Sequence, residues 1–196
     1  MKIVVIGMDY GGLSNDILLA QNNEVIAVDI VAEKINMINN KISPIKDRNI
    51  EYFLSNKNLN LKATADASND YIDEEFIIIA VPTNYDSDNN YFDTHMIEDI
   101  IEAILNINPY ASIIIKSIIP VGYTEKIRVI YETNNIILSP EFLREGKELY
   151  DNLYPSRIKV GDSTSKAKKL EEAIKLFSNS YLAIKVAYFN ELDTYA

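Results

Sequence analysis

Three glycines and one aspartate near the start of the chain have types and spacing suited to holding a dinucleotide. Gly7, Gly11 and Gly12 follow a short apolar run, and Asp29 ends the next one. Glycines permit the tight turn that brings a helix N-terminus onto a pyrophosphate, and an acid at this distance can accept the ribose hydroxyls. The pattern predicts a dinucleotide-binding unit over the first 29 residues.

One residue of this turn departs from the usual G-x-G-x-x-G pattern, because Asp9 stands at the second glycine. At roughly 5 Å and an effective dielectric constant of about 20, its carboxylate would repel each phosphate charge by on the order of 3 kcal/mol. Two outcomes are open. Either Gly11 lets the loop take another path so that Asp9 points to solvent, or the fold has lost tight dinucleotide binding.

A second group of residues whose side chains could take part in catalysis follows the short apolar run Ile136–Leu138. Glu141 and Glu145 are four residues apart with Arg144 between them, and they would share one face if this segment were helical. The alternative is a solvated helix start. His95, the one histidine, is expected to be an exposed surface residue instead of a base or a metal ligand, and the pattern suggests no metal site.

The composition of the chain argues against several classes of function. The net charge of −10 argues against a nucleic-acid surface, and no apolar run approaches the length that spans a bilayer. The chain contains no cysteine, so it supplies no thiol nucleophile. Without a signal peptide or a membrane segment, a cytoplasmic location is expected.

The elements that would position these residues alternate between short apolar runs and amphipathic stretches. This alternation predicts an α/β fold of the Rossmann type, with a doubly wound, mostly parallel sheet followed by a long C-terminal helix. The polar segment 84–92 is expected to be a loop, and Asp47 is expected to cap a short helix. Strands are predicted at Lys2–Ile6, Val25–Val28, Leu59–Thr64, Phe76–Val81, Ser112–Lys116, Ile136–Leu138 and Arg157–Val160.

Several longer motifs resemble one family, the UDP-glucose/GDP-mannose dehydrogenases. They are VVIGMDYGGLSN, VPTNYD, KSIIPVG, SPEFLREGKELYDNLYPSRI and KLFSNSYLAIKVAYFNELDTYA. The resemblance implies an NAD-binding domain over residues 1–163 and the start of a central helical dimerisation domain over 164–196. It implies NAD-dependent oxidation of UDP-glucose to UDP-glucuronate, by two hydride transfers through a cysteine-bound intermediate.

The resemblance also implies roles for individual residues. Asp29 and Lys34 would meet the adenosine ribose, and Glu145 would lie between cofactor and sugar. The remaining cofactor contacts would be Gly7, Tyr10, Gly11, Gly12, Thr83, Ser117 and Ile118. The sugar side would be lined by Glu141, Phe142, Leu143 and Arg144. Catalysis would use Glu141, Glu145, Lys175 and Asn179, the last two being one helical turn apart.

The chain departs from the family pattern beyond Asp9. Gly11 replaces a valine, Ile118 replaces a threonine, and a segment between Gly161 and Lys175 is shorter than in the family. The part that should carry the nucleophilic cysteine is not in the sequence. One alternative is therefore a catalytically inactive module that binds a nucleotide or nucleotide sugar and dimerises. Another is a split enzyme whose other half is a separate chain.

The run Glu171–Ala196 contains neither proline nor glycine and predicts one helix of about 39 Å at roughly 1.5 Å per residue. Apolar side chains, Phe189 among them, cover well over half of its circumference. A helix of this kind needs a partner surface. A homodimer built on this helix is expected.

Overall fold

The computed structural model describes residues 1–72, 74–86, 91–140, 143–144, 146–154 and 160–161. The strands are β1 (Lys2–Ile6), β2 (Glu24–Val28), β3 (Leu61–Thr64), β4 (Phe76–Ile79), β5 (Asn84–Asp86), β6 (Tyr91–Asp93), β7 (Ser112–Ile115) and β8 (Ile136–Leu138). The helices are α1 (Tyr10–Ala20), α2 (Ala32–Asn39), α3 (Arg48–Asn56), α4 (His95–Ile107), α5 (Tyr123–Ile130) and α6 (Glu148–Leu153). A short 3₁₀ helix spans Ser68–Asp70.

Six of the strands form one parallel sheet in the order β3-β2-β1-β4-β7-β8. The chain moves outward from β1 to β3, then returns to the other side of β1 with β4 and continues outward to β8. The order therefore reverses between β1 and β4. In sheets of this kind ligands bind at the carboxyl ends of the strands at that reversal. The predicted doubly wound parallel sheet is confirmed.

The strands are buried on both faces because helices cover the sheet on each side. Strands β4 and β7 are fully buried along their length, and their isoleucines contribute to the core on both faces. One face packs with α4 and α5 through residues such as Ile101 and Ile127, and the other packs with α1, α3 and α6. The near-continuous apolar strands of the sequence are explained by this two-sided cover.

Local signals placed several helix boundaries correctly. The Asp47 carboxylate accepts hydrogen bonds from the backbone N–H groups of Asn49 and Ile50, as the predicted cap of α3 requires. Helix α4 begins at His95, directly after Thr94, and ends at Ile107. His95 is exposed at its first residue.

The prediction of a loop over residues 84–92 is wrong, because this segment contributes a two-stranded antiparallel hairpin. Strands β5 and β6 pair with Tyr85 opposite Phe92, whose ring centroids are 4.8 Å apart. A cross-strand aromatic pair stabilises a hairpin although the neighbouring residues are polar. The hairpin follows β4 and leads into α4, so it lies beside the ligand edge of the sheet.

The later part of the chain is described only at Val160 and Gly161 after Tyr154. Val160 is buried, and the Gly161 N–H donates to the Leu138 carbonyl at 2.7 Å. Most of the predicted strand Arg157–Val160 and the whole predicted helix Glu171–Ala196 lie outside the described residues. Both stay predictions, as does the boundary between 1–163 and 164–196. Within the described part, no helix is long and apolar enough to cross a bilayer.

Candidate functional site

The turn after β1 is built so that α1 begins against the sheet edge. Gly7 has φ of 101°, and a Cβ there would lie 2.6 Å from the Ala80 carbonyl oxygen. A Cβ on Gly12 would lie 1.7 Å from the carbonyl oxygen of Gly7. Side chains cannot be accommodated at either position without moving backbone. The two glycines therefore bring the first turn of α1 to the edge between β1 and β4.

The carboxylate of Asp29 is fixed at the carboxyl end of β2. Its Oδ2 accepts the Met8 N–H at 2.9 Å, and its Oδ1 accepts the Val31 N–H at 2.9 Å. The first of these bonds links the end of β2 directly to the glycine turn. A carboxylate retains further lone pairs after two such bonds, so Asp29 can still accept hydrogen bonds from a diol.

Asp9 pairs with Lys34, an interaction that the sequence did not reveal. The Lys34 Nζ lies 2.6 Å from Asp9 Oδ1 and 3.4 Å from Asp29 Oδ2. Asp9 is at the N-cap position of α1, but its side chain makes no capping hydrogen bond and is 48% exposed. Its carboxylate thus points toward α2, where it is half exposed and paired with Lys34. This arrangement lies between the two alternatives of a carboxylate turned to solvent and one that prevents tight dinucleotide binding.

The ion pair is reflected in the titration of Lys34. Burial lowers the pKa of this ammonium group, but the hydrogen bonds and negative charges of Asp9 and Asp29 outweigh burial and raise its pKa overall. Lys34 consequently stays charged and holds two carboxylates together. It was expected to contact an adenosine ribose, and its Nζ lies 3.4 Å from Asp29 Oδ2. The ribose contact stays a prediction.

The loops that follow β4 and β7 are fastened to each other. The Thr83 hydroxyl donates to the Ile118 carbonyl at 2.8 Å, and the buried Ser117 hydroxyl donates to the Val81 carbonyl at 2.6 Å. Both hydroxyl protons are therefore used within the protein, which leaves the oxygens to accept from a ligand. The Ile118 side chain is 71% exposed, so it offers apolar surface at this edge.

The crevice contains glycines at the turn, a fixed acid after β2 and two hydroxyls beyond β4 and β7. Residues 1–180 match the NAD binding domain of the UDP-glucose/GDP-mannose dehydrogenase family. The chain belongs to this family. Its cofactor is accordingly NAD, as predicted.

Proteins similar to this chain agree with that assignment. The whole chain matches UDP-glucose 6-dehydrogenase of Streptococcus pneumoniae at 46% identity and that of Campylobacter jejuni at 44% identity. It covers 57% and 56% of those two proteins, so it spans a little over half the length of these relatives. The alignment with the first runs over 224 positions, more than the 196 residues of this chain, so the relative has residues that this chain lacks.

The fold also matches solved dehydrogenase structures. A GDP-mannose dehydrogenase from Pseudomonas aeruginosa, solved as a ternary complex, superimposes with a TM-score of 0.77 at 25% identity. The match covers 90% of this chain and 44% of that protein. The Rossmann arrangement of the NAD-binding domain is thereby confirmed independently of the sequence motifs.

Two further residues of the expected cofactor set lie on the first turn of α1. Tyr10 begins the helix and is 42% exposed, so its ring is available to a ligand. The Gly11 carbonyl accepts hydrogen bonds from the Ser14 hydroxyl and the Asn15 amide, at 2.8 Å and 2.7 Å. Tyr10 and Gly11 follow Asp9 in the chain. The expected cofactor residues between Gly7 and Gly12 therefore all lie in the turn after β1 and the first turn of α1.

The expected sugar-side residues are only partly described. Arg144 is exposed, and its Nε donates to both carboxylate oxygens of Asp151 at 3.0 Å and 3.2 Å. This hydrogen bond, against a smaller opposing effect of burial, lowers the pKa of Asp151. Leu143 is partly buried. The predicted residues outside the described part are Glu141, Phe142, Glu145, Lys175 and Asn179, so the catalytic assignments stay predictions.

Helix α6 anchors the segment that carries Arg144. The Asn152 amide donates to the Ser14 hydroxyl of α1 at 2.6 Å, and the Leu149 N–H donates to the Asp47 carboxylate at 3.4 Å. These bonds tie α6 to both α1 and α3, and Leu149 and Leu153 pack into the same core cluster. No local pattern indicates these contacts, because they join residues more than 100 positions apart.

A buried carboxyl on α1 was also missed. Asp16 is fully buried, and within the described part neither of its oxygens has a hydrogen-bond partner. Burial raises the pKa of Asp16 well above its ordinary value, and the charge of Asp29 adds to the effect. The protonated form is therefore favoured. Among the described residues, no group of three or more His, Cys, Asp or Glu side chains is arranged to hold a metal ion.

Proposed function

We propose that the chain is the cofactor-binding part of an NAD-dependent UDP-glucose 6-dehydrogenase, with NAD bound at the crevice between β1 and β4. The observation that carries this proposal is the Asp29 carboxylate, which is held by the Met8 and Val31 N–H groups beside the glycine turn. An acid fixed there can accept both hydroxyls of an adenosine ribose. The relatives named as UDP-glucose 6-dehydrogenases support the choice of substrate.

The residues present fit NAD at four points. The first turn of α1 lies at the edge of the sheet, where a helix N-terminus favours a pyrophosphate. Asp29 would hold the ribose, Lys34 lies within reach of the same end, and Thr83 and Ser117 offer hydroxyl oxygens on the nicotinamide side. When bound, NAD would accept hydride from the sugar alcohol.

The chemical steps need groups that this sequence does not supply. The family's reaction passes through a cysteine-bound intermediate, as the resemblance implies, and the chain has no cysteine. We therefore infer that the chain contributes the cofactor site and part of the sugar site, and that it does not complete the oxidation by itself. Glu141, Glu145, Lys175 and Asn179 keep their proposed catalytic roles as predictions.

A binding and assembly module is the second candidate function. It is favoured by Asp9 at a phosphate-facing glycine position and by Ile118 in place of a hydroxyl-bearing residue. A homodimer through Glu171–Ala196, a separate chain that carries the missing half, and a cytoplasmic location all stay predictions.

Calorimetric titration with NAD tests the cofactor site. Asp29→Ala should weaken NAD binding by about tenfold, because a hydrogen bond to a charged acceptor contributes roughly 1.5 kcal/mol or more. Asp99→Ala is the matched control, since Asp99 is an exposed acid on α4. Equal affinities for the wild type and Asp29→Ala would show that NAD does not use this crevice.

A further inference from the structure

A cleft with an unusual charge lies between α3 and the start of α6. Its volume is about 850 Å³, which is in the range of pockets that take small molecules. We call it the basic cleft. Its lining residues are Lys46, Arg48, Asn49, Glu51, Arg144, Gly146, Lys147 and Tyr150.

The basic cleft is positive in a protein that is strongly negative. The chain has 19 Lys and Arg against 29 Asp and Glu, yet among the described residues that line this cleft four are cationic and one is acidic. Arg144 is neutralised by Asp151. Within the described part, Lys46 and Arg48 form no ion pair, and Lys147 interacts with Asp151 through its charge alone. Lys46, Arg48 and Lys147 are thus the cations that can pair with a ligand.

Buried acidic residues alternate along the sequence with the cationic residues of the cleft, and their hydrogen bonds hold the backbone of the cleft walls. Lys46 and Arg48 flank Asp47, which is 1% exposed and bonded to the α3 N-terminus. Lys147 precedes Glu148, which is 2% exposed and accepts the Gly146 N–H at 2.7 Å. The backbone that carries the three cations is therefore fixed before any ligand arrives, and a preorganised site loses less entropy on binding.

We propose that the basic cleft binds a phosphate group, either free or at the end of a small organic phosphate. Lys46, Arg48 and Lys147 can form charge-assisted hydrogen bonds to the oxygens of a phosphate dianion, and the Asn49 amide can donate to the same oxygens. Tyr150 is 47% exposed and offers an aromatic face to an organic substituent. The net charge of −10 opposes a large polyanion such as nucleic acid.

This site is separate from the proposed NAD crevice and does not depend on it. Gly7, Asp29, Lys34, Thr83 and Ser117 are all absent from the lining of the basic cleft. The NAD crevice lies at the carboxyl ends of the sheet strands, whereas the basic cleft is walled by α3 and the segment that leads into α6. Each site can therefore fail its test while the other passes.

The test is a titration of the full ¹⁵N-labelled chain with inorganic phosphate, and separately with phenyl phosphate, at constant low ionic strength balanced with chloride. Backbone amide shifts are followed by NMR and affinity by calorimetry. We expect the Asn49 and Gly146 amides to shift. Binding of phenyl phosphate tighter than inorganic phosphate would identify an organic phosphate as the ligand, and equal binding would identify free phosphate.

Lys46→Gln combined with Arg48→Gln should weaken phosphate binding by roughly tenfold or more while NAD affinity is unchanged. Lys126→Gln, which removes an exposed lysine from α5, is the matched control and should bind phosphate as the wild type does. The proposal is wrong if neither phosphate binds, if the double variant binds both equally well, or if the shifts appear at Gly11 and Gly12 instead. Displacement of phosphate by NAD would also overturn it.

Discussion

Replacing Asp9 with glycine should tighten NAD binding, by an amount that depends on how well water screens its carboxylate. If the site behaved as a medium of dielectric constant about 20, a carboxylate roughly 5 Å from one phosphate charge would cost about 3 kcal/mol. In water the same pair would cost about 0.8 kcal/mol. Asp9 is 48% exposed, which favours the smaller value.

The Lys34 ammonium reduces the cost further. It lies 2.6 Å from Asp9 Oδ1, so a phosphate beyond the pair meets a partly cancelled charge. This ion pair is partly exposed to solvent, with 24% of the Lys34 and 48% of the Asp9 side chain accessible, and exposed pairs contribute only about 0–1 kcal/mol. We therefore expect Asp9→Gly to improve the dissociation constant of NAD by about two- to fourfold, and not by the two decades that an unscreened carboxylate would imply.

Calorimetric titration of three proteins separates the contributions. Asp9→Gly removes both the charge and the Cβ, whereas Asp9→Asn removes the charge and keeps a side chain of the same size. If charge is the cause, both variants should bind NAD equally well and better than the wild type. Improvement in the glycine variant alone would assign the effect to the crowding of the backbone.

The effect of Lys34 on NAD affinity provides a second test of the charge on Asp9. Lys34→Gln should weaken NAD binding more in the wild type than in the Asp9→Gly protein, because only in the wild type does it also expose an unpaired carboxylate. Asp99→Asn, an exposed acid on α4, is the control for general charge effects. If Asp9→Gly and Asp9→Asn both leave the dissociation constant within about twofold of the wild type, the carboxylate does not act on the phosphates.

Three other predictions follow from the same structure. Asp16→Asn should stabilise the protein at neutral pH by on the order of 1 kcal/mol, because an amide of the same size removes the ionisation that burial opposes while its polar atoms stay without partners. Its raised folded-state pKa means that the wild type loses stability as pH rises above the unfolded value of about 3.9, so urea titrations should show the difference shrinking toward pH 4. The purified chain should give no sustained NADH absorbance with NAD and UDP-glucose, since it has no thiol, and steady turnover would contradict this. Light scattering across a dilution series should show a dimer that Phe189→Asp dissociates without lowering the melting temperature of the Rossmann core, whereas a monomeric wild type would remove the basis for the dimer.

Short-range signals explain how much of the fold could be predicted. The strands of the parallel sheet were found because burial on both faces demands unbroken apolar runs such as Phe76–Ile79. The cap of α3 was found because Asp47 bonds to N–H groups only two and three residues ahead. Gly7 and Gly12 were recognised by spacing alone, and their contacts with backbone oxygens give that spacing its physical reason.

Two of the misses have a different cause, since they depend on contacts between distant parts of the chain. The Asp9–Lys34 pair joins residues 25 positions apart, and it forms only after α2 packs beside the glycine turn. Helix α6 packs against α1, and the Asn152–Ser14 bond that joins them spans 138 positions. The hairpin of β5 and β6 was hidden because its strands are polar and only three residues long.

Three acidic residues lie around the proposed adenosine end of the crevice, and each is in a different environment. Asp9 and Asp29 share Lys34, and Asp16 lies near enough for the charge of Asp29 to raise its pKa. Burial favours the protonated form of Asp16, and the ammonium group offsets the charge of Asp9. Asp29 is the one of these three carboxylates that two backbone N–H groups orient. In the proposed NAD site Asp29 is therefore the acceptor for the ribose, while Asp9 is paired with Lys34 and Asp16 is buried.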